Sequence, residues 1–137
     1  MFILDTNVLS GLRKRERVDP SVAKWLNNVD PVALFLSSIT ILEVEIGALS
    51  MARRDRRQAA TLRNWINNEV LPSFQSRILP IDLAVVQRCA ALHVPDKRPE
   101  RDALIAATAL VHGMTIVTRN AKDFAPMGVR IVDPFRA

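Results

Sequence analysis

Met1-Phe2-Ile3-Leu4-Asp5-Thr6-Asn7 decides the fold, because a short apolar run closes on an acid and passes at once into small polar residues. Residues 1 to 5 read as a buried strand: an uninterrupted apolar stretch ending in a polar turn is how a central parallel strand looks in sequence. Val8, Leu9 and Leu12 then predict a short helix. An acid at such a strand-to-helix turn lies at the carboxyl end of its strand, the edge where open α/β sheets bind their ligands.

The same alternation continues outward. Asp19-Pro20 supplies an N-cap and a proline at the first helical position, and Val22, Trp25, Leu26 and Val29 carry a helical stripe as far as Asp30-Pro31. A second strand is predicted over Val32 to Ser37, then a helix from Thr40 to about Met51 with Leu42, Ile46 and Leu49 on one face. A further helix carries Ala59, Leu62, Ile66 and Val70 and is expected to end before Pro72. Short strands at 77–79 and 115–117 accompany helices from Asp82 to His93, N-capped by Asp82, and from Pro99 to His112, closed by Gly113. A last strand spans 129–132. Strands alternating with helices imply an α/β fold, a doubly wound parallel sheet flanked by helices on both faces. With no internal repeat, low-complexity segment or linker, residues 1–137 read as a single domain.

An apolar fraction of 49% with only four glycines argues against disorder. No apolar run approaches the ~20 residues of a membrane span, and the N-terminus lacks the features of a secretory signal, so the expected location is cytoplasmic, with no membrane. The single cysteine, Cys89, shares an apolar pattern with Val85, Val86 and Leu92 and reads as a buried thiol. Nineteen Lys and Arg against 14 Asp and Glu leave a net charge of +5, which favours an anionic partner, nucleic acid first. The basic residues gather at Arg13, Lys14, Arg15 and Arg17, at Arg53, Arg54, Arg56 and Arg57, and at Lys97, Arg98 and Arg101. Each group alone is equally well read as a solvated helix end or loop.

Four acids stand at helix starts or just past strands: Asp5, Glu43, Asp102 and Asp123. Without obvious basic partners they would repel one another in one cleft, so their convergence implies a divalent cation. Asp5 could cap the helix that follows, but Thr6 and Asn7 are able to do so, leaving its carboxylate for chemistry and themselves as hydrogen-bond donors that orient it. Glu43 has a strong structural alternative, since Thr40-Ile41-Leu42-Glu43 fits a capping box. Glu45, on another side of that helix, reads as an exposed charge. Asp102 is favoured by the helix dipole, yet it aligns with apolar Ile105, Ala106 and Ala109, where a carboxylate needs a partner or a metal. Arg101 reads either as a solvated charge or as a phosphate contact.

Asp123 follows the strand at 115–117 on a turn, with Thr118 and Asn120 as an orienting hydroxyl and carboxamide nearby. His93 and His112 end helices and suit the dipole there, so neither takes a catalytic role. Hard oxygen ligands favour Mg²⁺ or Mn²⁺, which lower the pKa of bound water and stabilise charge on a phosphate in flight.

Leu4-Asp5-Thr6-Asn7-Val8-Leu9-Ser10, Ser38-Ile39-Thr40-Ile41-Leu42-Glu43, Asp102-Ala103-Leu104-Ile105-Ala106-Ala107-Thr108-Ala109 and Val117-Thr118-Arg119-Asn120 with Asp123-Phe124, in this order, resemble PIN-domain proteins. Within that family the likeness is to the bacterial VapC and FitB-like toxins, and it runs from Met1 to about Pro134. The resemblance implies a Mg²⁺- or Mn²⁺-dependent endoribonuclease, the toxin of a type II toxin–antitoxin pair. It implies as well a homodimer, held inactive by a small antitoxin protein that binds DNA. By the family pattern Asp5, Glu43 and Asp102 are the core acids and Asp123 the more variable fourth; many relatives place that acid near Asn120, which here is an amide. The short basic loop from Pro95 to Arg101 bears on how RNA enters.

The competing readings are non-catalytic: a Mg²⁺-binding receiver-like domain or an RNA-binding regulatory domain. The first wants paired acids after the first strand, where this chain has Asp5 alone, and the second fits poorly with acids at all three core positions. A nucleotide-binding module is weaker still, because no phosphate-binding glycine-rich loop is present.

Overall fold

The computed structural model describes residues 1–136, and Ala137 lies outside them. Five short strands, β1 (Phe2–Leu4), β2 (Leu34–Ser37), β3 (Ile78–Leu79), β4 (Thr115–Val117) and β5 (Ile131–Val132), form one sheet in the order β3-β2-β1-β4-β5. Every neighbouring pair is parallel, with Ile3 opposite Phe35 on one side and Ile116 on the other. The expected doubly wound α/β architecture is therefore present as a single domain.

Helices cover both faces: α1 (Thr6–Gly11), α2 (Pro20–Asn27), α3 (Ser38–Ala52), α4 (Arg56–Trp65), α5 (Leu71–Ser73), α6 (Leu83–Leu92), α7 (Glu100–His112) and α8 (Ala121–Phe124). Successive strand residues point to opposite sides. Ile3 and Ile116 thus join a core with Val85, Cys89, Ile105, Ala109 and Phe124, while Leu4, Leu36 and Val117 join another with Val8, Leu9, Val44, Ala48 and Ile66. Cys89 is buried, as its apolar neighbours predict. Gly113 closes α7 at φ 66°, a left-handed conformation in which a side chain would be strained.

Several local expectations are corrected. The second strand begins at Leu34 rather than Val32, because Pro31–Ala33 form a 3₁₀ turn whose Val32 N–H is capped by Asp30 at 3.1 Å. The expected stripe Leu42, Ile46, Leu49 on α3 faces outward at 45%, 38% and 64% exposure, and Thr40, Val44 and Ala48 face inward instead. Pro72 does not end the preceding helix: α4 runs through a π-helical segment, Ile66–Val70, into α5. Proline lacks an N–H and crowds the carbonyl four residues earlier, which the wider π turn accommodates. The last strand shrinks from four residues to Ile131–Val132. Among the described residues no helix is long and apolar enough to cross a membrane.

Candidate active site

Strand order reverses at β1, with β2 and β3 to one side and β4 and β5 to the other, so a crevice opens between the carboxyl ends of β1 and β4. Asp5 sits at its mouth, tied to β4 by its own N–H donating to Val117 O at 2.9 Å. Its carboxylate is only 6% exposed and is held by three donors: Thr6 N–H on Oδ1 at 2.8 Å, and the Thr118 hydroxyl at 2.7 Å and Asn7 amide at 3.2 Å on Oδ2. Asp5 itself is thus the N-cap of α1, which corrects the assignment of that task to Thr6 and Asn7. The tight turn places the Thr6 N–H against Oδ1 and leaves the Thr6 hydroxyl free to point elsewhere.

That hydroxyl donates to Glu43 Oε1 at 2.6 Å and lies 3.3 Å from the Thr40 hydroxyl. Glu43 is not a capping-box residue. α3 starts at Ser38 with Ser37 as its cap, the Ser37 hydroxyl accepting from Ile39 N–H at 3.1 Å, so Glu43 lies one turn further in and reaches towards Thr6. Nor is Glu43 without a cation, since Arg101 Nη1 stands 3.8 Å from Oε2. Glu45 also departs from expectation: it pairs with Arg63 at 2.6 Å, a half-exposed contact worth about 0–1 kcal/mol.

Asp102 is half-buried in the first turn of α7, with Ile105, Ala106 and Ala109 beneath it fully buried. Burial pushes its carboxyl above the usual aspartate value, and repulsion from Asp5, Asp123 and Glu43 pushes it further. Asp5 is likewise raised by burial; hydrogen bonds from Thr118 and Thr6 oppose the rise, and the charges of Glu43 and Asp123 add to it. The four predicted acids therefore share one electrostatic neighbourhood at one sheet edge.

Asp123 lies within α8 and is exposed, acting on Asp5 and Asp102 through its charge. Asn120 is exposed at the N-cap position of α8, where its side chain makes no capping bond. Its backbone N–H donates to Thr118 Oγ1 at 3.0 Å, and that buried hydroxyl in turn donates to Asp5. Two groups escaped the sequence reading of this edge. Thr40 is fully buried beside Thr6, and its signal was the i, i+3, i+6 stripe Ser37, Thr40, Glu43. Arg119 donates its backbone N–H to Asn7 Oδ1 at 3.3 Å, a link made only by folding.

The donors at this edge are all oxygens, and the buried carboxylates repel one another, which suits a hard divalent cation. Among the described residues no three acids close tightly around one point.

The PIN domain family matches residues 2–128. A VapC ribonuclease, Y4jK, of Sinorhizobium fredii (strain NBRC 101917 / NGR234) is 36% identical over 140 residues, covering 98% of each chain. The crystal structure of FitAcB from Neisseria gonorrhoeae superposes over 100% of both chains with a TM-score of 0.90 and 28% identity. A toxin–antitoxin complex from Klebsiella pneumoniae aligns over 98% of both chains, with a TM-score of 0.66 and 31% identity.

Proposed function

The chain belongs to the PIN domain family, and from that premise we propose that it is a metal-dependent endoribonuclease, the toxin of a type II toxin–antitoxin pair. The observation that carries the reading is the sheet edge at which Asp5, buried and held by three donors, is coupled through charge to Glu43, Asp102 and Asp123. Asp5, Asp102, Glu43 and Asp123 would hold Mg²⁺ or Mn²⁺. When bound, the ion supplies a water of lowered pKa and a charge that stabilises the phosphate in flight. Thr118 and Asn7 fix the Asp5 carboxylate, and Thr6 fixes that of Glu43, so neither has to reorganise when RNA arrives. Arg101, beside Glu43, is placed to meet a phosphate.

The protein acts, on this reading, in the cytoplasm as one PIN domain over 1–137, as a homodimer neutralised by a separately encoded antitoxin. Supporting protein partners is the outward stripe Leu42, Ile46 and Leu49 on α3, apolar surface that a bound chain would cover. The test is purified protein with single-stranded RNA in Mg²⁺ or Mn²⁺, with and without chelator. Cleavage that requires the ion is expected; cleavage undiminished by excess chelator overturns the proposal. Expressed alone the protein should arrest growth, and co-expression of the neighbouring reading frame should relieve it.

Asp123 and Asn120 divide the fourth role. Asp123 contributes charge from an exposed helical turn, whereas Asn120 contributes a backbone N–H that any residue but proline supplies. Asp123→Ala should lower cleavage about tenfold, more than Asn120→Ala and less than Asp5→Ala, in line with the 10–100-fold range for groups that tune a metal site from its margin. Full activity in Asp123→Ala alongside a dead Asn120→Ala reverses the assignment.

A further inference from the structure

The positive charge of the chain has a structured outlet that the acids do not use. Arg119 lines two clefts, one against α1 and the start of α2 and the other against α8. One, of about 280 Å³, is lined by Asn7, Arg17, Asp19 and Phe135 as well as Arg119. The other, of about 320 Å³, lies among Arg119, Lys122, Asp123, Asp133 and Arg136. Each is near the lower size of small-ligand sites, roughly 300 Å³. The Arg119 guanidinium lies over the Phe135 ring at 4.5 Å from its centroid, and its backbone is tied to Asn7, the side chain that orients Asp5.

The charges of this surface are unequally matched. Arg17, Arg119 and Lys122 make no ion pair among the described residues, whereas Arg136 is paired with Asp133 at 3.6 Å. Asp19 is committed to capping α2 through Ser21 N–H at 2.8 Å. Three cations with no ion pair among the described residues thus line the two clefts between Asn7, beside Asp5, and Asp123, and the partly buried Phe135 ring, with Arg119 over one face, stands among them. Cations that follow a backbone, interleaved with an aromatic platform on which a base stacks, are what single-stranded nucleic acid requires.

We propose that the Arg119–Phe135 cleft is the subsite for the RNA segment flanking the scissile phosphate. Arg119 holds a backbone phosphate there, and the Phe135 ring carries the adjacent base. The inference rests on the ribonuclease reading and deepens it, by giving the strand a direction across the sheet edge. RNA enters past Arg119 rather than along the smaller hollow of about 130 Å³ beside Glu43, which Arg13 lines with Gly47 and Trp65.

The test measures binding, not cleavage, of a short 2′-O-methyl single-stranded RNA to the full chain in chelator. Arg119→Ala should weaken binding about tenfold and make the salt dependence shallower by about 0.7 in log–log slope, the loss of one phosphate contact. Phe135→Leu, which keeps apolar bulk in a partly buried position, should weaken binding by a similar factor and leave the slope unchanged. Arg53→Ala, beyond the end of α3, should bind as wild type. Wild-type affinity in both Arg119→Ala and Phe135→Leu overturns the subsite, as does a loss confined to Arg13→Ala. Arg119-dependent binding by a protein that never cleaves RNA would leave the subsite standing and remove the nuclease reading instead.

Discussion

Asp5→Asn should lower metal-dependent RNA cleavage by about 10³-fold, the scale on which preorganised charge at a transition state is worth. The substitution keeps the size of the side chain and one carbonyl oxygen, so the Thr6 N–H at 2.8 Å can still be capped. It removes the negative charge and converts one acceptor into a donor. On the Oδ2 side the Thr118 hydroxyl and the Asn7 amide both donate, so an amide nitrogen there would face two donors. Thr118→Val separates charge from orientation: valine fills the same buried volume but removes the hydroxyl that holds Asp5, and a loss of 10–100-fold is expected. Steady-state cleavage of one RNA at saturating Mn²⁺ checks both. Activity within tenfold of wild type in Asp5→Asn would mean that the carboxylate is a helix cap only.

The sheet and the edge on which the acids gather were legible because each strand is a short apolar run bounded by a polar turn, as in Ile3-Leu4-Asp5 and Ile116-Val117-Thr118. Alternation of β and α then leaves few topologies for a parallel sheet. The inward face of α3 was less legible. Leu42, Ile46 and Leu49 and the inward Thr40, Val44 and Ala48 are both helical stripes, and the set with the smaller side chains is the one that faces inward. Periodicity alone cannot choose between two apolar stripes. The capping-box alternative for Glu43 fails for a related reason: moving the helix start from Thr40 back to Ser38 removes the box and sends the carboxylate to Thr6. The links from Thr118 to Asp5 and from Arg119 to Asn7 each join residues more than a hundred positions apart. No local pattern encodes such distances; the parallel pairing of β1 with β4 creates them.

Asp102→Asn should raise the melting temperature of the metal-free protein while removing its response to Mn²⁺. The Asp102 carboxyl is pushed above its ordinary value of 3.8 by burial and then by Asp5, Asp123 and Glu43. A carboxyl whose folded pKa exceeds its unfolded pKa opposes folding once charged. That cost is complete above the folded value and fades as pH falls through it towards 3.8. At neutral pH the wild type therefore bears the whole cost and the amide bears none, so the stability gap between the two proteins should close on acidification through that interval. The metal acts in the opposite direction. At a hundredfold excess over its dissociation constant, an ion bound only by the folded state stabilises by about 2.7 kcal/mol, on the order of 10 °C for a domain of this size. Thermal melts at neutral pH with chelator should rank Asp102→Asn above wild type, and melts with Mn²⁺ should reverse the order. A variant that melts below wild type in chelator would show that Asp102 is held by attraction rather than strained by its neighbours, and an equal Mn²⁺ shift in both proteins would place the ion away from α7.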